Sequence, residues 1–182
     1  MSTTETLTKW SIDPAHSEIG FKVRHLVIST VTGQFGSFDA SVESEGDSFE
    51  GAKISFEADV SSISTGNEDR DNHLKSEDFF NAENHPKITF ESTSFEPVSD
   101  DTYKLTGDLT IRGTTKTVEL EAVHGGTVTD PYGNLKAGFD VTGQINRKEF
   151  GLSWDAVTEA GNVVVGDKVT LQLGVQFTKE DA

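Results

Sequence analysis

The 182-residue chain contains no cysteine, so disulfide bonds, thiolate metal sites and cysteine nucleophiles are all excluded. Basic residues are also scarce. Fifteen Lys and Arg residues stand against 31 Asp and Glu residues, which gives a formal net charge of −16. A field of that sign repels phosphate backbones and anionic membrane surfaces. Nucleic acid is therefore not an expected partner.

Long hydrophobic runs are missing as well. No uninterrupted apolar run approaches the roughly 18 residues that a membrane-spanning helix needs. The first nine residues have neither the basic region nor the apolar region of a secretory signal. We therefore expect a cytoplasmic protein without a transmembrane segment, unless a leader has been removed.

The patterns of common catalytic sites are absent too. None of the five histidines forms a His-x-His or His-x-x-x-His pair of the kind that places two imidazoles on one metal. The chain has no Gly-x-Ser-x-Gly elbow and no glycine-rich phosphate loop. We expect no catalytic residue, no metal and no cofactor.

Alternation of apolar and polar residues dominates what is present. A period of two is typical of β-strands with one buried and one exposed face. The pattern recurs about eight times, from residues 19–23 to residues 169–177, with no linker or composition shift between them. The sequence predicts one all-β domain over residues 10–178, with a flexible segment at 1–9 and a tail at 179–182.

Either a sandwich or a closed antiparallel barrel would hide the strand edges. We favour an eight-stranded barrel, because its strands must coil strongly and glycine recurs inside the candidate strands. These glycines are Gly20, Gly36, Gly107, Gly138, Gly143 and Gly174. A barrel of this size is about wide enough to be filled by side chains or to hold one small ligand, and both fillings stay open.

One segment departs from the alternation. Thr65 and Glu68 have the spacing of a capping box, which predicts a short helical insertion around residues 66–80. We expect this insertion to place Leu74, Phe79 and Phe80 against the barrel opening, with its charges towards water.

An apolar interior with a few polar groups at its mouth is the usual composition of a pocket for a hydrophobic molecule. Alternating Phe residues are also common in an ordinary core. The candidate wall residues are Ile19, Phe21, Val23, Phe35, Ile54, Phe56, Phe79, Ile88, Phe90, Leu109 and Ile111. The candidate polar contacts are Arg24, His25, Arg70 and His73.

Six sequence blocks resemble the YceI-like family of polyisoprenoid-binding proteins, from Trp10 to Phe177. The blocks are residues 10–17, 21–26, 33–35, 70–80, 85–90 and 107–116. The resemblance implies a lipocalin-like barrel, often dimeric, whose interior holds a long isoprenoid chain such as the tail of a quinone or of a polyprenyl phosphate. It also implies that the helix caps the barrel. Members of the family are often exported.

Three hypotheses about function follow. The first is a non-catalytic module, expected as a homodimer, that binds and carries or stores an isoprenoid or a similar amphiphilic lipid. The second is an enzyme for a small hydrophobic substrate, which requires a histidine or carboxylate on the barrel wall as acid or base. The third is a stress-related or structural protein with a filled barrel. The size of the interior cavity distinguishes the third hypothesis from the others.

Overall fold

The computed structural model describes residues 7–25, 29–45, 49–77, 79–152 and 165–180. These residues form eleven β-strands, one α-helix and three short 3-10 helices. The strands are β1 (Leu7–Ile12), β2 (Glu18–His25), β3 (Ser29–Phe35), β4 (Phe38–Glu45), β5 (Lys53–Asp59), β6 (Ile63–Ser64), β7 (Lys87–Pro97), β8 (Thr102–Ile111), β9 (Thr114–Thr129), β10 (Leu135–Asn146) and β11 (Val165–Lys179). The α-helix, α1, is Glu68–Lys75, and the 3-10 helices are Pro14–His16, Val60–Ser62 and Arg147–Phe150.

All of these strands join one sheet that closes on itself. The closed ring runs β1-β4-β5-β7-β8-β9-β10-β11, and β11 pairs back with β1. The same edge of β11 that pairs with β1 pairs further along with β2; β2 pairs with β3, and β3 pairs with β6. Strands β2, β3 and β6 therefore continue β1, β4 and β5 along the barrel, so each of these pairs of strands occupies one position in the ring. Every pairing is antiparallel. The predicted eight-stranded antiparallel barrel is confirmed. Strand β1 begins at Leu7, so the barrel starts three residues before the predicted boundary.

The break between β1 and β2 is held by Asp13. Its carboxylate accepts the backbone N–H of Ala15 at 3.1 Å and lies 2.9 Å from Nδ1 of His16. The Nζ of Lys136 on β10 lies 2.8 Å from the same carboxylate and 2.6 Å from Oγ1 of Thr178 on β11. The hydrogen bond from Lys136 is the largest cause that lowers the pKa of Asp13 to about 2. This polar cluster ties the break to two neighbouring strands.

Two local features follow directly from the sequence. The turn between β8 and β9 consists of Arg112 and Gly113, both with positive φ (50° and 74°), which is the conformation that joins a two-residue hairpin. Inside β8, a Cβ on Gly107 would lie 2.4 Å from the ring carbon Cζ of Phe90. Glycine at this position therefore makes room for an inward-pointing aromatic ring.

The helix is shorter than predicted, and its predicted cap is wrong. The N-cap is Asn67, whose side chain accepts the N–H of Arg70 at 3.0 Å. Thr65 instead donates its backbone N–H and its hydroxyl to Asp71, at 2.8 and 2.6 Å. No residue of α1 is buried. Among the helices in the described ranges, none has the length and apolar character to cross a bilayer.

Candidate binding cavity

A cavity of about 200 Å³ lies inside the barrel. Every strand of the closed ring contributes side chains to its wall, and nearly all of them are apolar. Within the described part of the chain, Arg147 is the only charged residue among those that line it. The cavity therefore offers a ligand almost only apolar contact.

The cavity is long. Val169 and Phe177 of β11 both line it, and eight residues at a rise of about 3.3 Å on a strand tilted by about 40° extend about 20 Å along the barrel axis. A cavity of this length suits an extended hydrocarbon chain.

All eleven predicted wall residues line the cavity, as do Leu74 and Phe80 of the predicted cap. Three of the four predicted polar contacts, Arg24, Arg70 and His73, are not among the lining residues. Arg24 is exposed on the outer face of β2, and the side chain of His25 lies outside the described part of the protein. Arg70 donates from Nε and Nη2 to Oγ1 and the carbonyl of Thr65, at 2.8 and 2.7 Å. The ring of His73 packs edge-on against Phe79 at 5.1 Å.

One end of the barrel, which we call the aromatic end, is closed by rings from several strands. Its members are Trp10, Phe49, Phe95, Tyr103, His124, Phe139 and Phe177. The ring of Phe139 is their centre: its centroid lies 4.8 Å from that of His124, 5.1 Å from Phe49 and 6.1 Å from Phe95. Such contacts add about 0.5–1.5 kcal/mol per pair to the burial of the rings.

The other end, which we call the helix end, is closed by α1, the turns after it and the 3-10 helix at 147–150. The guanidinium of Arg112 donates from Nη1 to the carbonyls of Phe79 and Gly151, each at 3.0 Å. The guanidinium carbon of Arg147 lies 5.9 Å from the centre of the Phe79 ring. The two arginines thus hold Phe79 over the cavity by its backbone and by its ring.

Arg147 is a charged lining residue that sequence reasoning missed. Only 2% of it is exposed; its Nε donates to the carbonyl of Gly166 at 2.8 Å, and its Nη1 donates to the carbonyl of Leu152. In the sequence, Arg-Lys-Glu at 147–149 has the composition of an exposed turn. Its burial depends on the path of β11, 19 residues further along the chain, which no local pattern predicts.

No histidine, aspartate or glutamate belongs to the described residues of the cavity wall. The wall therefore presents no group that could act as an acid or base, which is what the enzyme hypothesis requires. Its chemistry is the burial of apolar surface, which stabilises a complex by about 25 cal/mol per Å².

Residues 10–177 match the YceI-like domain family. The chain belongs to this family. A UPF0312 protein of Staphylococcus aureus strain N315 is 38% identical to it over 173 residues, which is 94% of this chain and 98% of the relative. The structure of a YCEI protein from Campylobacter jejuni is similar over the whole of both chains, with 32% identity and a TM-score of 0.76.

Two more distant structures share the fold of this YceI-like domain. BcnA of Burkholderia cenocepacia has a TM-score of 0.78 at 23% identity, over 91% of this chain and 98% of BcnA. A polyisoprenoid binding domain from Saccharophagus degradans has a TM-score of 0.67 at 14% identity, over 94% of this chain and 98% of that domain. None of the four names states a catalytic activity.

Proposed function

We propose that this YceI-like domain binds a long-chain isoprenoid or a similar amphiphilic lipid, with the hydrocarbon tail inside the barrel. The observation that carries the proposal is the long and apolar cavity of about 200 Å³. Membership of the family and the fold shared with a polyisoprenoid binding domain support the same ligand class.

A tail in this cavity would be held by burial alone. Each buried CH₂ group contributes about 0.8 kcal/mol, so several isoprene units are enough for tight binding without a polar contact. Because the cavity is smaller than the roughly 300–1,000 Å³ of common ligand pockets, a long tail requires side chains to move. The half-buried inward residues Phe21, Phe56 and Leu171 are the ones we expect to shift.

The role we infer is binding, with carriage or storage of a quinone or polyprenyl lipid, and not catalysis. The absence of an acid or base among the described wall residues favours binding over the enzyme alternative. A homodimer is part of the proposal. Light scattering coupled to size-exclusion chromatography tests it, since a monomeric mass would contradict it.

Native mass spectrometry of the protein purified from cells, followed by organic extraction, tests the ligand directly. We expect a bound lipid with one long hydrocarbon chain. After delipidation, the protein should take up a polyprenol and a long-tailed quinone. A protein that is empty on purification and takes up neither chain would contradict the proposal.

A matched pair of variants separates binding in the cavity from binding on the surface. Val141 on β10 lines the cavity and is 8% exposed, so Val141→Phe places a ring in the path of the tail. Its neighbour Thr142 is exposed on the outer face, so Thr142→Phe adds the same ring outside. We expect Val141→Phe to weaken polyprenol binding by about tenfold or more, equivalent to about 1.4 kcal/mol, and Thr142→Phe to leave it unchanged. Equal binding by both variants would place the tail elsewhere.

A further inference from the structure

Two glycines stand at positions of the barrel where a larger residue would project into the cavity. Gly33 lies on β3 and Gly143 on β10, and Phe35 and Val141, each two residues away on the same strand, line the cavity. Since every second residue of a strand points to the same face, both glycines belong to the inner face.

The ring of Phe21 lies over Gly33. The two residues are paired across β2 and β3, and a Cβ on Gly33 would lie 2.8 Å from Cε1 of Phe21 and closer still to its Cζ. Carbon atoms that are not bonded contact one another at about 3.5–4.0 Å. An alanine at position 33 would therefore displace the ring of Phe21, which lines the cavity.

Gly143 makes room for Leu120 in the same way. A Cβ on Gly143 would overlap Cδ2 of Leu120 and lie 3.4 Å from its Cγ. Leu120 lies on β9 and lines the cavity, and on its other side it is paired with Leu105, which is 5% exposed. Because Leu105 is buried there, an alanine at position 143 would push Leu120 towards the cavity. We call the spaces over Gly33 and Gly143 the two recesses.

The two recesses belong to one layer of the barrel. Phe21 is paired with Leu171 on β11, and Leu171 is paired with Gly143 on β10. Across the neighbouring strands β3, β2, β11, β10 and β9, the layer therefore runs Gly33, Phe21, Leu171, Gly143 and Leu120. Large and small residues often alternate in this way inside small barrels.

We propose that Gly33 and Gly143 select the tail that the cavity accepts, because the two recesses leave space at this layer for the methyl branches of an isoprenoid chain. The proposal rests on the lipid binding proposed above and adds the residues that discriminate between tails. Leu171 lies between Val169 and Phe177, and all three line the cavity. A tail that fills the cavity therefore crosses this layer.

The shape of the tail decides how much it depends on the recesses. An isoprenoid chain carries a methyl branch on every unit, so it is wider than a linear alkyl chain. Phe21 and Leu120 are half-buried although they line the cavity. When the recesses are filled, these two side chains occupy space that the methyl branches need, whereas a linear chain loses less contact.

The test compares two probes on the delipidated protein: an all-trans polyprenol and a linear saturated alcohol with a main chain of the same length. By calorimetric titration, we expect Gly33→Ala and Gly143→Ala each to weaken polyprenol binding by at least about tenfold, equivalent to about 1.4 kcal/mol. The linear alcohol should lose clearly less affinity. Neither glycine has a positive φ, so alanine fits the backbone at both positions, and urea denaturation should show that both variants fold.

Two further variants assign the effect to the recesses. Gly174→Ala is the control on the outer face of β11, where a Cβ would have its nearest contact at 3.7 Å, with Oδ1 of Asp140, and it should leave both affinities unchanged. Gly143→Ala combined with Leu120→Val removes the methyl group that the new Cβ displaces. This double variant should recover most of the polyprenol affinity that Gly143→Ala loses.

The possible results separate the two proposals. If the glycine variants bind polyprenol as tightly as the unchanged protein, if both alcohols lose equal affinity, or if the double variant recovers none of it, selection by the recesses is overturned while lipid binding stands. If the unchanged protein binds neither alcohol, lipid binding itself is overturned.

Discussion

The aromatic end of the barrel is closed by a single cluster of rings that contact one another, whereas the helix end is closed by a helix without buried residues and by arginines that donate to backbone carbonyls, with Phe79 and Phe150 buried beneath them. Phe49, Phe95, Phe139 and Phe177 are between 2% and 7% exposed. Helix α1 has no buried residue, and its turns are held by side-chain hydrogen bonds such as those of Arg112. Apolar burial contributes more free energy than partly exposed hydrogen bonds do.

This difference indicates that the two ends of the barrel differ in how much they stabilise the fold and in how readily they open. The proposed binding requires the barrel to admit a lipid, and regions that open are drawn from those with few buried apolar contacts. We infer that the aromatic end is the stable end of this YceI-like domain and that the helix end is the one that opens.

The largest expected effect is that of Phe139→Ala. Phe139 is 7% exposed and contacts the rings of Phe49, His124 and Phe177. We expect the free energy of unfolding to fall by about 3–5 kcal/mol, measured by urea denaturation. The matched variant is Phe80→Ala at the helix end, which is half-buried and has its ring 6.2 Å from that of Phe35. The loss of unfolding free energy should be clearly smaller for Phe80→Ala than for Phe139→Ala. Equal losses in the two variants would contradict the contrast between the two ends of the barrel.

Acid should weaken the polar cluster around Asp13, which joins the break between β1 and β2 to strands β10 and β11. The pKa of Asp13 in the folded protein is lowered to about 2, below the value of about 3.9 for the unfolded chain. The carboxylate therefore stabilises the fold fully above about pH 4, and this contribution, at most about 2 kcal/mol, is lost as the pH falls towards 2. Asp13→Asn should lower the unfolding free energy at neutral pH and remove that part of the acid dependence. An unchanged acid profile in the variant would contradict the role of Asp13.

A smaller and local effect is expected from Arg112→Ala. It removes the two hydrogen bonds to the carbonyls of Phe79 and Gly151 and should cost about 1 kcal/mol, since the side chain is half exposed. Hydrogen exchange should quicken at the amide of Phe80, which donates to the carbonyl of Leu74, and stay unchanged at the amide of Gly51 at the aromatic end. Arg24→Ala is the control and should alter neither rate.

Sequence reasoning succeeded where the determinant is local. Strand alternation depends on neighbours two residues apart, and the inward positions that it predicted between Ile19 and Ile111 line the cavity.

Sequence reasoning failed where a contact with another residue overrides the local pattern. Thr65 has the sequence pattern of a cap, but it bonds to the side chain of Asp71, and Asn67 takes its place. The burial of Arg147 depends on the path of β11, and the contacts of Phe139 come from separate strands. The sequence therefore predicted part of the cavity wall and the insertion at the helix end, but not the arginines that hold this insertion or the cluster of rings at the aromatic end.

The smallest expected effect is that of Trp10→Phe at the aromatic end. Trp10 is 4% exposed and its ring lies 5.2 Å from that of Phe49, yet its Nε1 is the one buried side-chain nitrogen or oxygen of the described residues with no hydrogen-bond partner. An unpaired buried N–H costs about 1–3 kcal/mol, so its removal offsets the apolar surface lost with the larger ring. We expect a change in unfolding free energy of less than about 1 kcal/mol for Trp10→Phe, against about 3–5 kcal/mol for Trp10→Ala. A loss for Trp10→Phe close to that for Trp10→Ala would mean that the indole N–H contributes a polar bond, and that the aromatic end is not held by apolar contact alone.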